Sequence, residues 1–327
     1  MANPHPYDAL TPDVVLQAVE SLGYLTNGRQ LALNSYENRV YQVGIEDAIP
    51  LVVKFYRPER WSTEAILEEH AFTQALADRE LPVVAPVVAE SGVSLHEYQG
   101  FRFAVFPRQG GHWPELDQAE HREWMGRFMA QIHMVGESQV FAHRPDISIA
   151  SFADASVSYL LENGFIPKDL ELAYSTLTAD LLIQIRRCYE RAGQVSHFRI
   201  HGDCHPGNIL WTDEGPHFVD FDDTRTGPAI QDLWMLLSGE RTEMSIQLSD
   251  IIEGYEVFRQ FDVRELHLIE PLRTMRMMHY SAWLARRWHD PAFPHNFPWF
   301  NTARYWEEQI LSLREQSARL DEPILMI

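Results

Sequence analysis

The stretch His201-Gly202-Asp203-Cys204-His205-Pro206-Gly207-Asn208 gathers two imidazoles, a thiol, a carboxylate and a carboxamide in eight positions. Two kinds of chemistry fit such a set. Imidazole, thiolate and carboxylate are zinc ligands, so His201, Asp203, Cys204 and His205 could contribute to a transition-metal cage. Neighbouring Cys and His side chains of an extended segment point opposite ways, however, and no second His/Cys cluster follows at ligand spacing. The other set is Asp203 and Asn208, with four residues between them, and Asp220 twelve positions beyond the asparagine. In a D-x-x-x-x-N spacing the aspartate accepts a hydroxyl proton and the neutral amide oxygen holds Mg²⁺. Taken singly, Asp203, Asn208 and His205 are also ordinary loop residues beside Pro206 and Gly207. As a trio, Asp203, Asn208 and Asp220 present oxygen atoms suited to a hard cation.

Magnesium and a phosphate need a cation and something to hold it. Lys54 lies inside Leu51-Val52-Val53-Lys54-Phe55-Tyr56, with apolar neighbours on both sides, as a phosphate-pairing lysine on a strand would. The alternative is a lysine that snorkels from an edge strand. Its partner would be a glutamate on the next helix, for which Glu69 is the choice and Glu68 the alternative. Asp222 and Asp223 either assist the metal or belong to a solvated turn. His133 reads as a core or helix-end residue rather than a catalytic one.

The elements that would position these groups can be read from capping and periodicity. Thr11-Pro12-Asp13 predicts a capped helix through about Leu22. After a turn around Asn27-Gly28, residues 39–45 and 49–57 are β-branched and aromatic and read as an antiparallel hairpin. A helix over 62–78 is capped by Ser62 or Thr63. Residues 81–90 and 101–107 have strand composition, with Pro82 and Pro86 limiting the first to an edge or a loop entry. Beyond Pro107 the chain turns helical. Trp124, Met125, Phe128, Met129 and Ile132 form an apolar stripe, and further helices are expected near 170–190, 229–238, 245–259, 264–287 and 302–318. A hairpin over 209–221, turning at Thr212–Gly215, would leave Asp203 and Asn208 in the loop before it and Asp220 at its far end. The fold class is α+β, divided into a small antiparallel-sheet lobe over 1–107 and a larger, mostly helical lobe over 108–327.

Bulk properties narrow the partners. A chain of 327 residues exceeds the size of one growing core, which favours two lobes. The 27 basic and 47 acidic side chains give a net charge of -20, which disfavours nucleic acid as a partner and means a nucleotide must be met by local cations or metal. Two cysteines do not make a disulfide framework. The opening MANPHPYDALTPD lacks the basic start and apolar run of a secretory signal, and no run of 18 apolar residues occurs. A cytoplasmic protein is the expectation.

The motif His201-Gly202-Asp203 to Asn208, the segment Val219-Asp220-Phe221-Asp222-Asp223 and the stretch GPAIQDLWMLL (227–237) resemble the aminoglycoside phosphotransferase and choline kinase branch of the protein-kinase-like superfamily. The longer strings LNSYENRVYQV, VVKFYRPERW, ILEEH, FAVFP and DPAFPHNFPW are similar to the bacterial stress response kinase A family over most of the chain. That resemblance implies a two-lobed kinase fold and a monomeric serine/threonine protein kinase using ATP and Mg²⁺ and linked to stress survival. It implies Asp203 as proton acceptor, Asn208 and Asp220 as Mg²⁺ ligands, Ser35 as an ATP contact, and Asp232 as an anchor of the catalytic loop. One departure stands out: where most protein kinases have G-x-G-x-x-G, this chain has Asn34-Ser35-Tyr36-Glu37-Asn38-Arg39, so side chains must supply part of the phosphate grip.

ATP is expected between the lobes, its adenine against the connector near Phe106-Pro107. Lys54, paired with Glu69, would hold its phosphates, Asn208 and Asp220 the cation, and Asp203, with Asp220, would carry the chemistry. The arginine- and aromatic-rich segment 273–300 is either an acceptor groove or a packed helix pair. Three functions stay open: a protein kinase acting on serine or threonine, a small-molecule kinase acting on an alcohol such as an amino sugar, choline or homoserine, and a silent ATP-binding regulator.

Overall fold

Thr11 caps the first helix, its Oγ1 accepting the Val14 N–H at 3.4 Å. The computed structural model describes residues 6–327. Residues 1–5, part of the stretch read as lacking a secretory signal, lie outside the described residues. In chain order the elements begin with α1 (Pro12–Glu20), β1 (Thr26–Leu33), β2 (Arg39–Ile45), β3 (Leu51–Phe55), α2 (Thr63–Ala77), β4 (His96–Tyr98) and β5 (Phe101–Pro107). There follow α3 (Ala119–Glu137), a π-helical turn (Ile149–Asp154) running into α4 (Ala155–Glu162), α5 (Lys168–Ala192), β6 (Phe198–Ile200), β7 (Ile209–Thr212), β8 (Gly215–Phe218) and β9 (Arg225–Gly227). The last are α6 (Ile230–Trp234), α7 (Arg241–Glu256), α8 (Ile269–Arg286), α9 (Ala292–Asn296) and α10 (Ala303–Leu320).

These elements form two compact units. The first comprises the described residues up to Glu115 together with Ser138–Arg144 and Asp203–Thr224; the second comprises Leu116–Glu137, Pro145–Gly202 and Arg225–Ile327.

In the first unit an antiparallel sheet runs in the order β1-β2-β3-β5-β4. Alternation along β3 sorts its side chains. Val53 and Phe55 join Phe103 and Val105 in a core against Val15 and Val19 of α1, while Val52 and Lys54 point to the other face. Each fully buried valine contributes about 1.5–3 kcal/mol. The register sets Lys54 opposite Val40 on β2 and Ala104 on β5. Ser62 caps α2, its Oγ accepting the Ala65 N–H at 3.1 Å, and the buried stripe of that helix runs through Ile66, Glu69, His70, Thr73 and Leu76. His70 is bonded to the Tyr56 hydroxyl at 2.7 Å and the Ser94 hydroxyl at 2.8 Å, and burial lowers its pKa to about 3, so the ring is neutral.

Three expectations need correction. The turn assigned to Asn27-Gly28 lies inside β1, where a register irregularity between Thr26 and Gln30 and a left-handed Gly28 absorb it as a bulge. Residues 81–90 do not form a strand; two prolines leave too few N–H donors for a ladder, and the segment makes isolated bonds from Val84 N to Phe218 O and from Val87 N to Val105 O. The strand beside β5 is β4 instead. Finally, β6 and β9 form a short antiparallel pair that composition did not mark.

In the second unit α3 and α7 cross closely because each brings a glycine to the contact. A Cβ on Gly126 would overlap the carbonyl oxygen of Ile251, and one on Gly254 would overlap that of Glu123. The buried stripe of α3 is therefore turned relative to the expected one. Met125, Met129 and Ile132 are buried as expected, Arg122 and His133 join them, and Trp124 and Phe128 are partly exposed. Helices α5, α6, α7, α8 and α10 match the expected regions, with α8 preceded by a 3₁₀ turn over Val263–Leu268. Both cysteines are buried free thiols. Among the described residues no helix is long and apolar enough to cross a membrane.

Candidate active site

The first unit holds an open cleft of about 350 Å³, large enough for a small ligand. Val40 and Val52 of the sheet line one part of it, Leu210 and Val219 another, and Phe106 and Pro107 stand at the end of β5. Its polar groups include Asn34, Ser35 and Asn38 from the β1–β2 loop, Lys54 and Glu69, and Asn208 and Asp220. Apolar walls with a few polar groups gathered on them suit a small ligand held by both. The β1–β2 loop is built from side chains, as the missing glycines require. Asn38 is nearly fully buried, its Oδ1 accepting the Arg57 N–H at 3.0 Å, and Ser35 lies on the cavity wall. The Phe106 ring meets His70 edge-on with centroids 6.5 Å apart.

Lys54 is buried among carboxylates. Its Nζ lies 3.1 Å from Glu69 Oε1, 3.3 Å from Asp220 Oδ1 and 3.0 Å from Asp222 Oδ1. Burial would lower the lysine pKa, but Asp222 and Glu69 overcome it and hold the ammonium well above its usual value. Burial raises the Glu69 carboxyl against the pull of Lys54. Glu69, the buried member of the helix stripe, reaches Lys54; Glu68 points elsewhere and accepts the backbone N–H groups of Ala142, His143 and Arg144 at 2.6, 3.0 and 3.0 Å.

The catalytic-loop candidates occupy the turn before β7. Asn208 Nδ2 donates to the Asp203 backbone oxygen at 3.0 Å, so its amide oxygen is the atom left for the cavity. His205 closes the turn through Nδ1, which accepts the Gly207 N–H at 3.0 Å, and its Nε2 is 3.6 Å from Asp203 Oδ2. Asp203 is partly exposed and is not on the cavity wall itself. Asp220 follows β8 in a left-handed conformation (φ 57°, ψ 63°), which costs a non-glycine residue about 1–2 kcal/mol. Its carboxylate is 55% exposed and lines the cavity.

Upstream, in the second unit, the fully buried Asp232 of α6 accepts the His201 N–H at Oδ2 and the Gly202 N–H at Oδ1, both at 2.8 Å. Gly202 has φ +85°, a conformation that favours glycine. His133 bridges the Tyr255 hydroxyl at 2.9 Å and Asp232 at 3.1 Å, so it is a buried hydrogen-bonding residue of the core.

Three residues matter to this geometry in ways the sequence did not show: Arg60 and Arg144 drew no expectation, and Asp222 was expected to assist the metal or lie in a solvated turn. Asp222 is buried and ion-paired with Lys54 and Arg60. Burial works to raise its carboxyl, but Arg60 and Lys54 outweigh it and hold it at about 2. Arg60 also reaches Asp223 at 2.8 Å. Arg144 is buried and donates to Glu69 Oε2 at 2.9 Å, Ala65 O at 2.7 Å, Asp222 O at 2.8 Å and Thr224 O at 2.9 Å. The only sequence signal available was the charge of the Asp222-Asp223 pair beside an apolar strand.

Among the described residues no three His, Cys, Asp or Glu side chains are arranged to hold a metal ion, so the cage reading of His201, Cys204 and His205 has no geometric support. The oxygen set of Asn208 and Asp220 fits a different kind of metal. Mg²⁺ is commonly held by one or two protein oxygens, with phosphate and water completing its shell.

The phosphotransferase enzyme family matches residues 29–269. Stress response kinase A of Escherichia coli O157:H7 is 47% identical over 98% of this chain and 97% of its own. The chain belongs to the phosphotransferase enzyme family, on its stress response kinase A branch. Within that branch the serine/threonine protein kinase RdoA of Salmonella typhimurium (strain LT2) is 45% identical over 99% of this chain and 98% of its own. Among solved structures, amicoumacin kinase hAmiN in complex with AMP-PNP, Ca²⁺ and its ligand superposes with a TM-score of 0.74 at 17% identity, covering 96% of this chain and 94% of that one. The microcompartment-associated aminopropanol kinase gives a TM-score of 0.66 at 16% identity, covering 95% and 97%. These superpositions establish the two-lobed α+β protein-kinase-like fold. The family member described here is a kinase, with ATP as the co-substrate the family implies and a phosphoacceptor as its second substrate.

Proposed function

We propose that the chain is a serine/threonine protein kinase that acts in a stress response as a cytoplasmic monomer, with ATP and Mg²⁺ and without a nucleic-acid partner. The observation that carries this reading is the 45–47% identity, over nearly the whole chain, to proteins named stress response kinase A and serine/threonine protein kinase. The buried Lys54–Glu69 pair, on one cavity with Asn208 and Asp220, supports it.

In this reading residues 1–107 handle the nucleotide, and residues 108–327 supply the catalytic groups and bind the acceptor. The base lies in the slot of Val40, Val52, Leu210 and Val219, near Phe106; Ser35 and Lys54 grip the phosphates. Asn208 and Asp220 would hold Mg²⁺, which supplies neutralisation of phosphate charge when bound. Asp203 orients the acceptor hydroxyl and takes its proton as the hydroxyl oxygen bonds to the γ-phosphorus; the bond from that phosphorus to the β–γ bridging oxygen breaks and ADP leaves. Little covalent work falls to the protein, so positioning and charge carry the rate.

The test incubates the protein with γ-labelled ATP and Mg²⁺ against a generic protein substrate and a panel of amino sugars, choline and homoserine. Label on serine or threonine of the protein is expected. Label in one metabolite alone would make it a small-molecule kinase, and label nowhere would overturn the kinase reading.

A further inference from the structure

An ammonium has three N–H groups, and three carboxylates already surround that of Lys54. The lysine donates hydrogen bonds to Glu69 and Asp220 and meets Asp222 Oδ1 as an ion pair, so a phosphate oxygen that approaches the ammonium competes with these carboxylates for it. The three are not equivalent. The side chains of Glu69 and Asp222 are 3% and 5% exposed, against 55% for Asp220. The second oxygen of Glu69 takes Arg144 Nη2 at 2.9 Å. Asp222 is held twice more, through its other oxygen by Arg60 and through its main-chain carbonyl by Arg144 Nη1 at 2.8 Å. Lys54, Glu69, Arg144 and Asp222 thus close a ring of buried hydrogen bonds and one ion pair, and Asp220 stands outside it.

Resting on the assignment of Lys54 to phosphate and Asp220 to the cation, we propose that Asp222 and Arg60 form a positioning pair that keeps Lys54 aimed at the phosphate site when Asp220 turns to the metal. Lys54 then passes the N–H it gives Asp220 to a phosphate oxygen, keeps its hydrogen bond to Glu69 and stays in ion contact with Asp222. A single carboxylate on Lys54 would leave the ammonium free to swing about one bond. The second, pinned by Arg60 and Arg144, removes that freedom, and errors of about 1 Å in such an element cost about 10²-fold in rate. Asp222 acts through Lys54 and needs no contact with nucleotide or metal.

The test compares Asp222→Asn, Asp222→Glu and Arg60→Gln in the wild-type and Lys54→Met backgrounds. It reads kcat and KM for ATP, and, independently of turnover, the affinity for a fluorescent ATP analogue with and without Mg²⁺. Asp222→Asn is expected to lower kcat about 100-fold, with a smaller rise in KM; Asp222→Glu should recover part of the loss, and Arg60→Gln should lie between. In the Lys54→Met background, Asp222→Asn should leave nucleotide affinity unchanged within about twofold, because the residue it acts through is gone. Turnover of Asp222→Asn within about threefold of wild type would overturn the proposal. So would a full, additive loss of nucleotide affinity on top of Lys54→Met, which would make Asp222 a direct ligand. If Asp222→Asn does not fold, the same cycle with Arg60→Gln decides: coupling to Lys54→Met supports the pair and additivity overturns it. A wild-type protein that transfers no phosphate overturns the kinase reading, whereas the binding cycle is read without transfer, so the two failures are distinguishable.

Discussion

Glu265 is fully buried in the 3₁₀ turn Val263–Leu268, and its Oε2 accepts the N–H of Ile230, the first residue of α6, at 2.8 Å. Burial raises its carboxyl from the usual 4.5 to about 7, with the Ile230 N–H pulling the other way. A carboxyl whose folded pKa lies above the unfolded one contributes stability that is complete below the unfolded value and is lost as pH rises through the folded value. The window here is pH 4.5 to 7. At pH 5 the folded state favours the proton by nearly two log units and at pH 8 by almost none, a change of about 2.5 kcal/mol at 1.36 kcal/mol per unit. Glu265→Gln keeps an acceptor for Ile230 but cannot titrate. Urea denaturation of both proteins at pH 5 and pH 8 should show the stability difference moving by about 2.5 kcal/mol in favour of the glutamine variant at the higher pH. Any fixed cost of burying the amide cancels between the two conditions. Curves that shift in parallel with pH, within about 0.5 kcal/mol, would refute the reasoning.

Gly126→Ala should cost about 1–3 kcal/mol in urea denaturation, because its methyl meets the Ile251 carbonyl where α3 and α7 cross; unchanged stability would show the crossing to be slack. Asp232→Asn removes the charge from two hydrogen bonds, each worth about 1.5–3 kcal/mol. Turnover is expected to fall while nucleotide affinity holds, since its partners are His201, Gly202 and His133 and not Lys54 or Asn208. Chelation of divalent metal should stop phosphoryl transfer, and added Mg²⁺ should restore it; transfer that continues in chelator would remove Asn208 and Asp220 from the metal role.

Local signals were legible where one side chain fixes the backbone. Thr11 and Ser62 marked the starts of α1 and α2, and the β-branched runs around Val40 and Val52 marked the β2–β3 hairpin. Glu69 could be preferred over Glu68 on periodicity, since Ile66, Glu69, Thr73 and Leu76 follow the helical repeat and only one of two adjacent glutamates can face inward. Where residue type and role diverged, the sequence misled. Gly28 served a bulge within a strand rather than a turn between elements, and the valines of 81–90 were deprived of a ladder by Pro82 and Pro86. Strands of three residues, such as β6 and β9, are too short to show a period of two. Arg60 and Arg144 were invisible for another reason, and Asp222 was read only as a metal helper or a turn residue. Their meaning lies in the convergence of positions far apart in the chain on Lys54 and Glu69, which spacing in one sequence does not encode.

In the proposed mechanism Asp203 takes the proton of an acceptor hydroxyl while Lys54, Asn208 and Asp220 hold the nucleotide and its metal. The most direct test measures transfer from labelled ATP and nucleotide affinity in parallel for wild type and Asp203→Asn. Turnover should fall by about 10² to 10⁴ with nucleotide affinity within a few-fold of wild type. Undiminished transfer from the asparagine variant would contradict it.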